Sequence, residues 1–188
     1  MARQIAITAI LLAVCIASQF FKNLSVYITG PIVNLCLILA TMTAGLFWGI
    51  ALSVITPVTA FLITGNPMMA AVPAVIPLIM LGNAVLVVMV HYLFRPAISG
   101  GKPLVSVRAV IIAVLSCLAK GCFMGLTISL WLLPAFLPEK MQPKLPVFQM
   151  TFSVTQFVTA VIGFVYFHIV WMPVSKIIEG NGSSKEAD

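Results

Sequence analysis

Apolar residues run along this chain in long blocks, with few polar interruptions within each block. Six blocks approach or exceed the roughly 20 residues needed to cross a bilayer: Ile5–Phe21, Pro31–Ala44, Leu46–Ile63, Ala71–Phe94, Val105–Leu133 and Phe148–Val174. The second and third are short, and only the Gly45 region separates them. The pattern predicts an all-α integral membrane protein, a six-transmembrane-helix bundle formed by one domain over residues 1–178 and followed by a polar tail over 179–188. The even number of spans requires both termini on one side.

The polar positions inside the blocks are unevenly distributed by depth. Gln19 and Asn34 fall near one end of the first and second spans, and Thr56 and Thr59 in the same half of the third. Asn83 lies about midway along the fourth, and Lys120 sits in the middle of the fifth, with no other formal charge between Ala109 and Phe136. In the sixth block Gln149, Ser153, Gln156, Ala160 and Gly163 follow the three-to-four spacing of one helical face. A Lys at the centre of a spanning helix costs about 2.5–3.5 kcal/mol on insertion scales, so it must face a partner, a cavity or a bound anion. Two readings fit the amides: each bonds a neighbouring helix, or together with Lys120 they line a polar funnel that closes near the midplane. The second makes Lys120, Asn83, Gln149, Gln156, Asn34 and Ser153 the candidate substrate-binding residues.

Composition sharpens the picture. Of 188 residues, 62% are hydrophobic and 7% charged, with a mean hydropathy of +1.18. Soluble domains carry about 25% charged residues, so a water-soluble fold is excluded and no room is left for a separate catalytic domain. The net charge of +6 is no nucleic-acid signal, because the basic residues form no stripe interleaved with aromatics. Their placement instead sets orientation by the positive-inside rule. Arg3, Arg95, Lys102, Arg108, Lys176 and Lys185 fall on the side of the termini, against Lys22, Lys140 and Lys144 on the other, which predicts cytoplasmic termini. The only acids are Glu139, Glu179, Glu186 and Asp188. Proton- or sodium-coupled carriers usually need a carboxylate inside a span, so the chain lacks an energy source of its own. The four cysteines (Cys15, Cys36, Cys117, Cys122) show no metal or redox spacing and read as small hydrophobes. His91 and His168 read as interfacial polar anchors, and Trp48, Trp131 and Trp171 as an aromatic belt. No metal site or cofactor is expected.

Other motifs concern packing. Ala9, Ala13 and Ala17 recur every fourth position and form one ridge on the first helix. Gly45-x-x-x-Gly49 and Gly121-x-x-x-Gly125 are further small-residue patterns that allow close helix approach. Pro31 is expected to begin the second span, Pro57 to break the third, and Pro67, Pro73 and Pro77 to shape the entry to the fourth. Such breaks accompany a cavity in some membrane proteins and ordinary packing in others. Gly100-Gly101-Lys102-Pro103 is not a phosphate loop: the upstream Gly is missing and Pro follows the Lys.

Several local segments together resemble the substrate-binding S component of energy-coupling factor (ECF) vitamin transporters. They are the Ala9, Ala13, Ala17 ridge, Gly30-Pro31-Ile32-Val33-Asn34, Gly45-Leu46-Phe47-Trp48-Gly49, Thr56-Pro57, Ile79-Met80-Leu81-Gly82-Asn83 and Ala119-Lys120. The resemblance covers nearly the whole chain through motifs that are individually weak. It implies capture of a small water-soluble vitamin or related micronutrient at the extracellular face of a prokaryotic plasma membrane. It also implies association with a membrane T subunit and two cytoplasmic ATPase subunits, which use the ATP. The ridge of Ala9, Ala13 and Ala17 would dock the T subunit, and the 22–30 and 64–72 segments would act as lids. Metal-binding relatives carry a His after the initiating Met; Ala2 here argues against nickel or cobalt. Lys120 would suit an anionic ligand of the size class of niacin or pantothenate. The competing classes are a small membrane enzyme of lipid metabolism, which would call for acidic or His clusters near one interface, and a secondary carrier or channel. A purely structural subunit would leave Lys120 without a purpose.

Overall fold

A computed structural model describes residues 1–21, 26–99 and 103–183, and the side chains only as far as Ser175. The chain is an all-α bundle of six helices long and apolar enough to cross a membrane, and no strand occurs among the described residues. In chain order the spans are α1 (Ala2–Gln19), α2 (Val26–Thr43) and α3 (Leu46–Thr64). A short helix, α4 (Pro67–Ala71), precedes α5 (Val75–Ile98) and α6 (Val107–Phe136). The last span begins with a 3₁₀ turn (Glu139–Lys144) and α7 (Leu145–Phe152), then continues as α8 (Val154–Ser183). Met1, the α2–α3 turn and the α5–α6 connection share one side, called here the Met1 side; α4 and the 3₁₀ turn lie on the far side. Residues 22–25 of the first expected lid, 100–102 of the glycine loop and 184–188 of the tail lie outside the described residues.

Several boundaries differ from those the hydropathy pattern predicts. Pro31 lies inside α2 rather than at its start, because the helix already runs from Val26. Pro57 does not break α3, which continues without interruption to Thr64. Its ring removes only one backbone donor, within a span whose neighbours stay packed. The third span ends at Gly65, in the left-handed region at φ 54°. There Asn66 starts α4, its Oδ1 accepting from Met68 N and Met69 N (3.0 and 3.4 Å) with Pro67 next in line, an Asn cap followed by Pro at the first helical position. The sixth block is two helices, broken at Ser153 (φ −117°, ψ −89°). Two stretches are wound as π-helix, Val90–Phe94 in α5 and Gly125–Leu132 in α6.

α2 is the most enclosed span and packs along α8 through glycines. A Cβ on Gly163 would stand 2.7 Å from Asn34 Cβ and 3.2 Å from Pro31 O, and one on Gly30 would meet Thr159 Cγ2 at 2.8 Å. Gly49 in α3 likewise sits directly against Thr41 and Val87, and Gly121 in α6 against Phe157. Both predicted glycine pairs thus include a position where only hydrogen fits, which lets backbones approach in the absence of a hydrophobic drive between helices.

Apolar packing is continuous on the Met1 side. Ile38, Leu86, Phe94, Ala113, Phe164 and Phe167 form one buried cluster. Phe94 meets Phe164 and Phe167 edge-on at centroid distances of 5.0 and 5.7 Å, and Phe167 stacks on Trp171 at 5.1 Å. Such geometries add about 0.5–1.5 kcal/mol per pair beyond area burial. On the far side a second cluster joins Met68 and Met69 of α4 to Val75, Ile128, Leu132 and Phe152, so α4 is held down by its own apolar face.

Candidate functional site

Between these clusters the polar residues of several spans meet. Lys120, 2% exposed, extends its ammonium to two amides: Nζ donates to Asn34 Oδ1 at 2.6 Å and to Asn83 Oδ1 at 2.8 Å. Asn34 and Asn83 are equally enclosed, at 1% and 4% exposure. Three helices, α2, α5 and α6, are thereby tied at one point. The lysine is thus neither against lipid nor unpaired, the outcome that the high cost of a buried charge demands. Among the described residues this buried ammonium bonds only to neutral amides, and no carboxylate of theirs lines the space around it.

That space is a cavity of about 140 Å³ on the far side of the bundle, with Lys120, Asn34 and Asn83 among its lining residues. Each remaining span adds a wall. α1 contributes Gln19, α3 contributes Thr56 and Pro57, α4 is preceded by Asn66, and the last span brings Thr151, Phe152 and Gln156. Asn34 Nδ2 donates to Thr159 Oγ1 (3.5 Å), which in turn donates to Gln156 O (3.2 Å). Gln156 Nε2 donates to Thr151 O at 3.3 Å, across the break at Ser153. Gln19 Nε2 donates to Thr56 O at 3.1 Å, while Gln19 Oε1 is buried and meets no partner among the described residues. Because a backbone carbonyl only accepts, the orientation of the Gln19 amide is fixed.

Four of the six candidate binding residues, Lys120, Asn34, Asn83 and Gln156, therefore line one cavity. Gln149 and Ser153 do not. Gln149 Nε2 donates to Ser129 O (2.9 Å), Ser129 Oγ donates to Gln149 O (2.8 Å), and Ser153 Oγ also donates to Gln149 O (2.6 Å). This α6–α7 clasp lines a separate, largely apolar groove with Gly121, Gly125 and Leu126. The sequence spacing places Gln149, Ser153 and Gln156 on one face only if the helix is unbroken; the non-helical backbone at Ser153 separates them. Residues that the spacing did not single out are Thr159, Thr151 and Asn66. The last carries a readable signal, an Asn immediately before Pro67 that marks a helix start beside the cavity.

The other candidates fall elsewhere. Ala9, Ala13 and Ala17 all lie on the exposed face of α1, while Thr8, Cys15 and Ser18 face the bundle. The ridge therefore packs on nothing within the described residues. Cys15, Cys36 and Cys117 are buried and Cys122 is exposed, all four with free thiols. His168 Nδ1 lies 2.7 Å from Phe164 O, and His91 Nδ1 is buried and meets no partner among the described residues. No group of three metal-ligating side chains occurs among the described residues. Compared with protein-family models, with curated proteins and with solved structures, the chain matches none.

Proposed function

We propose that this chain captures a small water-soluble vitamin or related micronutrient and delivers it across the membrane as the S component of an ECF-type importer. The observation that carries the reading is the buried Lys120 ammonium lining a partly open cavity, held by amides from two other spans and with no counter-ion among the described residues. A merely structural lysine would be expected to meet a carboxylate; this one is left able to meet a solute. The cavity lies on the side opposite the termini, which the positive-inside rule makes extracellular. Within this reading α4, anchored by Met68 and Met69, is the lid over the site.

Glu139 stands in the far-side turn and Glu179 near the chain's end, so no carboxylate lies midway along a span to offer ion coupling, and the work of uptake comes from partners: a membrane T subunit and two cytoplasmic ATPase subunits. The bare ridge of Ala9, Ala13 and Ala17 suits a close helix–helix contact with the T subunit. The location that follows is the plasma membrane of a prokaryote.

Two experiments test the proposal. Affinity purification of the full chain from its native membrane should recover a second membrane protein and two ATPases; recovery of the chain alone, with catalytic turnover, would replace it with an enzyme. In a binding assay against a vitamin panel, Lys120→Ala should weaken the bound ligand by about 30-fold or more, the cost of removing one partner of a buried polar contact. An unchanged affinity would remove Lys120 from the site.

A further inference from the structure

An ammonium only donates hydrogen bonds, so Lys120 dictates how its two amide partners are turned. Asn34 Oδ1 and Asn83 Oδ1 both face Nζ, and both NH2 groups consequently face away from it. Asn34 Nδ2 directs a hydrogen to Thr159, whereas Asn83 Nδ2 meets no acceptor among the described residues. Lys120 has three donor hydrogens, two of them engaged by the amides. Around Lys120 itself, what remains unused is therefore N–H donors and one positive charge; the unpartnered acceptor of the lining, Gln19 Oε1, belongs to the α1 wall. The walls beyond it include Val33, Pro57, Ala60, Met69, Ile79 and Phe152, an apolar lining that a bare inorganic ion would leave unused.

We infer that the cavity floor is a carboxylate receptor. The ligand is a small organic monoanion whose carboxylate oxygens accept from Lys120 Nζ and Asn83 Nδ2, with a compact uncharged body against the apolar walls. One ammonium balances one negative charge, and charge-assisted N–H···O bonds are the strong ones. A cationic ligand would meet repulsion, and a neutral one would leave the buried charge uncompensated. Size narrows the class further. Pockets for drug-sized ligands run about 300–1,000 Å³, and this cavity of about 140 Å³ fits a single ring or a short chain. The inference rests on the uptake reading above and adds the chemical class of the solute.

The test uses full-length protein in detergent and pairs of probes that differ only in the head group: nicotinate with nicotinamide, benzoate with benzamide, and pantothenate with its alcohol. At least one acid should bind about 30-fold or more tightly than its neutral twin. Asn83→Asp keeps an oxygen toward Lys120 and supplies the missing negative charge from within. It should abolish the preference for the acid while leaving the thermal midpoint unchanged or higher. Lys120→Met, which keeps an unbranched side chain without charge, should also abolish the preference. The inference is overturned by equal binding of acid and twin, by binding of none of the acids, by a preference that survives in either variant, or by full competition from chloride at matched concentration. Binding of a cationic vitamin such as thiamine alone would overturn the carboxylate assignment and leave the uptake reading intact. Failure to bind any vitamin, together with failure to recover coupling subunits, would remove the uptake reading itself.

Discussion

In the Met1-side half of the bundle, α2, α5, α6 and α8 meet through Ile38, Leu86, Ala113 and the rings of Phe94, Phe164 and Phe167. In the far half the same four helices meet through Asn34, Asn83, Lys120 and Thr159, and they leave a cavity. The change takes about one helical turn: Ile38, Leu86 and Cys117 stand three or four residues from Asn34, Asn83 and Lys120 and belong to the apolar cluster. The contrast shows how a membrane bundle can carry a buried cation. The apolar half gives the helices fixed relative positions, and the polar half can then hold an arrangement of donors that would not organise itself. On the uptake reading, a solute entering from the far side would meet a floor closed by the apolar half.

The largest expected effect comes from breaking the apolar half. Phe167 is fully buried and touches Phe94, Phe164 and Trp171. Phe167→Ala should cost about 3–5 kcal/mol, as deletion of a buried aromatic ring does. Thermal unfolding in detergent would register it as a large drop in midpoint. If the two halves divide the work as described, ligand affinity at a temperature where the variant remains folded should stay within about threefold, well under one decade in the equilibrium constant. A loss of affinity as large as that of Lys120→Ala would mean that the halves are one cooperative unit.

A smaller effect tests the seam between them. Gly163 admits Asn34 so closely that an added methyl would stand 2.7 Å from its Cβ. Gly163→Ala must push α2 away from α8, with overpacking costs of about 1–3 kcal/mol. Because Asn34 holds Lys120, this variant should weaken binding as well as stability, unlike Phe167→Ala. Binding that remains untouched would show that the ammonium is positioned by Asn83 alone.

Much of this architecture is legible in the sequence because its signals are long and one-dimensional. Six apolar blocks give six spans, and the lone Lys120 in the fifth demands a partner whatever the fold. Asn83, midway along the fourth, is a natural choice for it; Asn34 reads as lying near a span end when the second block starts at Pro31, and it reaches the depth of Lys120 because the helix begins earlier, at Val26. What stays hidden depends on local backbone departures. A regular helix carries Gln149 and Gln156 round to the same face, and nothing in the letters around Ser153 announces that the helix stops there and restarts. Pro57 gives the opposite error, since its ring signals a break that packing overrides. Thr159 is invisible for a third reason: its role is set by Gly30 and Gly163, which bring α2 and α8 close enough for a bond to Asn34.

The smallest effect distinguishes the two glutamines that the break separates. Gln149 exchanges hydrogen bonds with Ser129 on the groove between α6 and α7, whereas Gln156 lines the cavity beside Asn34 and Lys120. Interhelical polar bonds in membranes average about 0.6 kcal/mol, so Gln149→Leu should lower stability by roughly that amount and leave affinity unchanged. Gln156→Leu removes a similarly weak contact to Thr151 but places an apolar side chain against the ligand space. Its stability cost should be just as small, while affinity falls by about threefold to tenfold, corresponding to the loss of one modest hydrogen bond. Titration of both variants with the same ligand separates the cases. Equal losses of affinity would mean that the last span acts as one continuous polar face after all, and equal indifference would confine recognition to Lys120 and its two asparagines.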